Sequence, residues 1–567
     1  MSESKQDKRK KTREQNNAHV DHNTLYLTFV FLTGASTLAM ELLASRILTP
    51  YFGVSLFIWS GILSITLIAL SLGYILGGRM TTIAPEARSR SLDSLFLLMP
   101  TVSGIAIFTS CLLYPKFFHT LGSASLVLGA YTACVALIFF PLVAVSAMNP
   151  LLIAIQSERQ TKGTAGGDSG SGLVFFVSTV GSVIGVSLTA FVFIPNLTNF
   201  NSLLILSAIL SGVSLLGALT SAALQPSEKK QLLALSLVGI LLAMGLLASA
   251  SSYLKKDEAI TFGDGSWKLE REYTSLFGNT KILSFGPAPG SQDAEAVDSY
   301  GTLYYADGIT MNIINAAGHS VTPFTYALEF LTMGLRPNAE RVLMLGLGAG
   351  IIPMRLNDKG VTVDVVEINP SSLEAAEDFF HFDASKVKVV ETDARTYVRN
   401  CPSPYDVVLI DMSHGDGLPE YLLSIEFFAD VRRCLTPDGM IVFNTFAATE
   451  HLDAYYHVVK TVNAVFPELL MYHDGLDDGK ESISIYLAAM QTPHSGAFML
   501  PSEVIPEGIA ETIAAVFSQT RPIDQMLLAN AEILEDEFNR FSFLNMESDE
   551  FFRRAVLHTL PPEFLAN

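Results

Sequence analysis

A multi-span α-helical membrane domain, followed by a small β-rich subdomain and an α/β Rossmann-like domain, is the fold class this sequence predicts. Three observations predict it. Apolar segments long enough, or nearly so, to cross a hydrocarbon core of about 30 Å recur as far as Ala250. Beyond about residue 255 the apolar runs shorten, acidic residues appear and turn signals multiply. In that second half, apolar strands that end in glycine or a carboxylate alternate with helical stretches.

The first half sets the cellular context. At 567 residues the chain is too long for one ordinary core, and its 49% apolar content is high for a soluble protein. The net charge of -20 argues against a nucleic-acid partner, because a phosphate backbone is bound by basic surface. Residues 1–23 form a basic tail carrying Lys5, Lys8, Arg9, Lys10, Lys11 and Arg13, expected as a disordered cytoplasmic arm. A transmembrane domain of about seven helices is expected over 24–252, near 25–43, 55–78, 92–113, 121–147, 172–194, 201–220 and 231–250. The first segment lies too far from the terminus, and precedes too many others, to be a cleaved signal. Gly73, Gly77 and Gly78, and again Gly181 and Gly185, have the spacing of close helix packing.

Charge bias orients these spans. Arg79, Arg88 and Arg90 follow the second, Arg159 and Lys162 the fourth, and Lys229 and Lys230 the sixth, which places the tail in the cytoplasm of a multi-pass cell (inner) membrane protein. Seven crossings put the second half on the far side, away from cytosolic metabolites. An even number keeps it inside, and the side of that half stays open.

The second half divides into a β-rich subdomain over 260–320, a Rossmann-like catalytic domain over 321–500 and a C-terminal helical region over 501–567. Within the middle part, RVLMLGLG, VTVDVVEI, VKVVETDAR, YDVVLID and GMIVFNTF read as strands of a parallel, doubly wound sheet. Ligands in such sheets bind beyond the carboxyl ends of the strands. The cysteines add no framework: four are too few for a disulfide scaffold, Cys111 and Cys134 sit in apolar runs, and none has metal-site spacing. No metal is expected.

The strand ends carry the candidate site. Gly346, Gly348 and Gly350 form a turn through which a backbone can approach a ligand closely. Glu367 ends the next strand, where a carboxylate can accept both hydroxyls of a ribose, and Asp393 ends the third, in reach of an adenine amino group. Together they indicate an adenosine-containing ligand. The absence of GxxxxGK[ST] and of an evident phosphate clamp favours S-adenosylmethionine or a relative over NAD. Asp411 ends the fourth strand, placed to accept a proton from an attacking amine or merely to cap the following turn. His414 reads as a second base, a polar contact or a surface residue, and Asp416 as a turn residue.

Residues 267–450 resemble the spermidine synthase (polyamine aminopropyltransferase) family, and GASTLAMELLASRILTPYFG with SLGYILGGRM is similar to its membrane-bound, multi-span relatives. The resemblance implies a transferase of polyamine biosynthesis with an S-adenosylmethionine-type Rossmann-like domain, a homo-oligomer, and a small-molecule amine as partner alongside the lipid bilayer. It implies that Gly346–Gly350, Glu367, Asp393 and Ala394 hold decarboxylated S-adenosylmethionine. It further implies a catalytic role for Asp411 and a substrate-cavity role for Tyr326, for which core packing is the competing explanation. Departures from the family pattern share a direction. Its Asp-Glu pair is Thr322-Pro323 here, the acidic residue of the glycine motif is Ala349, its glutamine is Met311 and its second loop aspartate is His414. Removing carboxylate partners for an ammonium disfavours an ordinary putrescine site. Alternatives are another transfer from intact S-adenosylmethionine, such as methylation, or a transporter whose second half senses an adenosyl ligand.

Overall fold

In the computed structural model the described residues are 3–53, 56–83, 90–160, 169–289, 300–412, 419–474, 482–492, 507–517 and 520–566. The chain divides into two units, one of 1–48, 57–255 and 566–567, the other of 49–56 and 256–565.

Among the described residues seven helices are long and apolar enough to span a membrane: Asn23–Phe52, Ile58–Thr82, Leu92–Ala124, Leu126–Glu158, Gly170–Asn196, Asn199–Thr220 and Pro226–Ala248. Leu67, Phe176, Phe191 and Leu241 are exposed on these helices, as a lipid-facing surface requires. Inside the bundle, small residues bring backbones together. A Cβ on Gly77 would lie 2.4 Å from the Ala147 carbonyl oxygen, and one on Gly185 would lie 2.1 Å from that of Ala35. Gly78, by contrast, faces open space. Hydroxyls also join the spans: Ser207 Oγ donates to the Gly104 carbonyl at 2.7 Å, and Thr101 and Ser236 share a hydrogen bond at 3.1 Å. The sequence predicted an irregular N-terminal arm, whereas the backbone is helical from Glu3. That polar run is rich in Lys, Arg, Glu and Gln, all good helix formers.

The second unit begins with an antiparallel sheet, β1 (Ile260–Phe262), β2 (Gly265–Ser275), β3 (Gly278–Pro287), β4 (Gly301–Ala306) and β5 (Ile309–Asn315), paired in that order. Asp307 and Gly308 turn β4 into β5 with φ of 47° and 91°. Asp-Gly suits that hairpin because both residues tolerate the left-handed region.

Helix α1 (Pro323–Leu335) leads into a seven-stranded sheet: β6 (Arg341–Leu345), β7 (Thr362–Glu367), β8 (Lys388–Glu391), β9 (Tyr405–Ile410), β10 (Leu435–Ala448), β11 (Glu468–His473) and β12 (Ser482–Met490). The spatial order is β11-β12-β10-β9-β6-β7-β8. β10, β9, β6, β7 and β8 run parallel, as expected from the sequence. The all-parallel expectation fails at the far edge, where β12 is antiparallel to both β10 and β11. An antiparallel pair such as β11 and β12 does not require the crossover helix that a parallel pair would need.

Strand periodicity divides the core into two layers. Leu343, Leu345, Val408, Ile410 and Phe443 belong to one buried cluster, and Val342, Met344, Val407, Leu409 and Val442 to the other. Helices α2 (Ile351–Asp358), α3 (Pro370–Phe379), α4 (Ala394–Arg399), α5 (Ile425–Arg433), α6 (Leu452–Val465), α7 (Glu507–Phe517) and α8 (Met546–Val556) complete the unit. Their starts are written locally. Asn369 caps α3 by accepting from Ser371 N with Pro370 in the first turn, and Ser424 caps α5 by accepting from Phe427 N. Cys401 and Cys434 form a disulfide between the end of α4 and the end of α5.

Candidate active site

Neighbouring strands β8, β7, β6 and β9 present their carboxyl ends on one rim. The chain runs from β6 outward to β7 and β8, then returns to the other side of β6 as β9. Such a reversal opens a crevice between diverging connections. The ladder continues past the strands: Gly346 N donates to the Val366 carbonyl at 2.8 Å, Asp411 N to that of Leu345 at 3.0 Å, and Thr392 N to that of Glu367 at 3.1 Å. The glycine turn and three carboxylates are therefore set in a row by sheet register.

At Gly346, φ is 97° and a Cβ would lie 2.2 Å from the Asp411 carbonyl oxygen, so a side chain there would push the turn off Asp411. Gly348 also has positive φ, and the space a Cβ would enter is open. Glu367 ties this turn to the next one. Its Oε2 accepts from Leu347 N at 2.9 Å and its Oε1 from Asn369 N at 2.7 Å. Burial raises its pKa, while bonds from the backbone of Asn369, Leu347 and Ile368 act in the opposite direction. Asp393 caps α4 by accepting from Thr396 N at 2.8 Å, and its other oxygen accepts from the Tyr421 hydroxyl at 2.9 Å. Asp411 is half-buried on the cavity wall, and burial raises its pKa against the opposing hydrogen bond from Asn444 Nδ2 at 2.9 Å.

Gly346, Gly348, Gly350, Glu367, Asp393, Ala394 and Asp411 all line one cavity of about 960 Å³. That volume lies at the upper end of small-molecule sites and leaves space for two reactants. Ala349, Met311 and Thr322 are also on its wall, so three positions that carry polar or acidic groups in the resembled family are present as neutral surface. Tyr326 is not on the wall. It is buried in α1, its hydroxyl donates to the Ser320 carbonyl at 2.7 Å, and the Arg355 guanidinium lies 4.8 Å over its ring. Phe324, two residues earlier, faces the cavity instead. His414 and Asp416 lie outside the described residues. Among the described residues no group of three or more His, Cys, Asp or Glu could hold a metal ion.

Among the wall residues that escaped the sequence reading are Asn444 and Tyr421, which hydrogen-bond to Asp411 and Asp393. Asn444 is the amide residue within the apolar run GMIVFNTF, a signal that could have found it. Tyr421 sits beside a turn, where nothing local points to the carboxylate it meets.

Residues 325–473 match the family of the spermine/spermidine synthase domain. A polyamine aminopropyltransferase of Vibrio vulnificus is 29% identical over 218 residues, covering 37% of this chain and 71% of that protein. The chain is a distant match to the spermidine synthase and aminopropyltransferase superfamily. An N-terminal histidine N-methyltransferase of Emericella nidulans is 30% identical over 140 residues, which is 24% of this chain and 25% of that one. Among solved structures, a probable spermidine synthase from Corynebacterium glutamicum aligns with a TM-score of 0.38 at 18% identity, covering 47% of this chain and 95% of that one. The membrane spans of this chain lie outside the matched residues, and so does everything beyond His473.

Proposed function

We propose that this chain is a membrane-anchored transferase that moves an aminopropyl group from decarboxylated S-adenosylmethionine to an amine acceptor, through a site unlike that for ordinary putrescine. The observation that carries it is the half-buried Asp411 carboxylate, held by Asn444 in the same cavity as the glycine turn, Glu367 and Asp393. The geometry fits an adenosyl group: open space at Gly348 accepts a close ligand, and Glu367 and Asp393 present carboxylates at adjacent strand ends for ribose hydroxyls and the adenine amine.

In the transfer, the neutral amine nitrogen bonds to the carbon beside the sulfonium as the carbon–sulfur bond breaks. Sulfur leaves as a neutral thioether, and the excess amine proton passes to Asp411. A carboxylate there also stabilises the positive charge developing on nitrogen, more strongly in a buried site than in water. Asp411→Asn keeps the shape and removes the base. Turnover should fall by at least about 100-fold while methylthioadenosine still binds. Unchanged turnover would sink the assignment.

Ala349 favours a second possibility. A neutral residue on the turn leaves the wall compatible with the carboxylate of intact S-adenosylmethionine, and hence with methyl transfer. Calorimetry with the intact and decarboxylated donors separates the two, since only the tighter-binding form identifies the group transferred.

A further inference from the structure

We propose that Glu41 and Thr66 form a proton-exchange site at mid-depth of the membrane half, a function separate from the group transfer above. The Glu41 carboxylate takes up a proton and returns it to water, with the Thr66 hydroxyl as its hydrogen-bond partner. Only the proton moves, and nothing is oxidised or reduced.

Depth sets the chemistry. Glu41 precedes Phe52, where the first span ends, by roughly 17 Å of helix, and Thr66 follows Ile58, where the second begins, by roughly 12 Å. In a hydrocarbon core of about 30 Å both lie near the middle. A bare charge is costly there, so an intramembrane carboxylate carries a counter-ion or a proton.

Among the described residues nothing supplies the counter-ion. Arg46, further along the same helix, is the evident partner in the sequence, yet no described Lys, Arg or His forms an ion pair with Glu41. The remaining ionisable groups of these two spans are Tyr26 and Tyr51 towards the ends of the first, and Tyr74 and Arg79 in the second. Tyr74 hydrogen-bonds to Asn149, and Arg79 is roughly 20 Å of helix beyond Thr66. The fifth span packs on the first where Gly185 meets Ala35, and it contains no ionisable residue.

Thr66 differs from other hydroxyls of these two helices. Thr33, Ser36, Thr37 and Ser71 each donate to the carbonyl one turn back in their own helix. Thr66 is 5% exposed, yet its Oγ1 makes no such bond. The hydroxyl faces the Glu41 carboxyl instead, close enough to interact but without a well-aligned bond. A buried hydroxyl in that state is short of a partner. A proton on Glu41 supplies one, because a neutral carboxyl has an O–H donor that the hydroxyl oxygen can accept. Two side chains offer too few oxygens to enclose a hard metal cation, which leaves the proton as the ligand.

Infrared spectroscopy and carbodiimide labelling of the full chain in detergent test the site. The wild type should show a protonated-carboxyl band that shifts in D2O and is lost in Glu41→Gln. Dicyclohexylcarbodiimide, which attacks protonated carboxyls in apolar surroundings, should modify Glu41 of the wild type at neutral pH, read from the mass of its peptide. Either signal missing from Glu41 overturns the site, and so does a band that fails to shift in D2O over hours, since a sealed proton is merely structural. Thr66→Val should move the band to higher frequency as the carboxyl loses its partner, and an unmoved band overturns the role of Thr66. An unfolding temperature equal to wild type shows that both variants fold, and the labelling needs no variant. None of these readings uses a donor or an acceptor, so they stand apart from the success or failure of the transfer chemistry.

Discussion

Asp411 shows how one residue is set by its surroundings. Its carboxyl is partly withdrawn from water, which favours the protonated form, and the Asn444 amide pulls the other way by donating to the charged form. Because the base must be ionised to accept a proton, the acid limb of the kcat/KM profile should lie above the ordinary aspartate range of about 3.9. Asn444→Leu removes the stabilising donor, so that limb should move to higher pH, by about 1–2 units for one hydrogen bond to a charge. A shift to lower pH, or none, would refute the coupling. Asp411 was legible in YDVVLID because a carboxylate closing a buried strand is conspicuous. The pairing of Asn444 with Asp411 was not, since the two lie on different strands.

At the level of elements, the helix behind the glycine turn has to be held if the turn is to hold a ligand. Glu329 of α1 is fully buried, pairs with Arg355 of α2, and lies 3.1 Å from Lys359 just beyond that helix. Removing it takes a carboxylate away from two cations, both of which still reach solvent, which moderates the penalty. Glu329→Ala should destabilise the second unit by about 1–3 kcal/mol and weaken methylthioadenosine binding. Thermal unfolding and calorimetry check both. The five parallel strands within 341–448 were readable as apolar runs ending in glycine or a carboxylate. β11 and β12 were not, because an antiparallel pair closing a parallel sheet carries no separate sequence signal.

For the whole molecule, seven candidate spans among the described residues and basic residues on alternate connections lead us to predict that the residues after the last span lie across the membrane from the tail. The Cys401–Cys434 disulfide belongs to the second unit, and disulfides persist in oxidising compartments. We therefore expect a reporter fused after Asn567 to read the outer face, and Cys401 and Cys434 to resist alkylation until reduced. Fluorescence of a cytosol-dependent reporter, with both thiols alkylated directly, would reverse the assignment. A domain on that face needs its donor there, so methylthioadenosine binding to sealed vesicles of known sidedness gives an independent answer.

Sequence alone determined the membrane half, the β-rich subdomain, the alternating α/β region and the row of glycines and carboxylates at the strand ends. Each follows from hydrophobic length, from periodicity or from a residue type at a strand terminus, all of them local properties. Tertiary structure decided which residues meet. It withdrew Tyr326 into the core, paired Cys401 with Cys434, set Asn444 on Asp411 and brought α8 to the cavity. Those contacts join segments far apart in the chain, so they depend on sheet order and packing rather than on any local pattern.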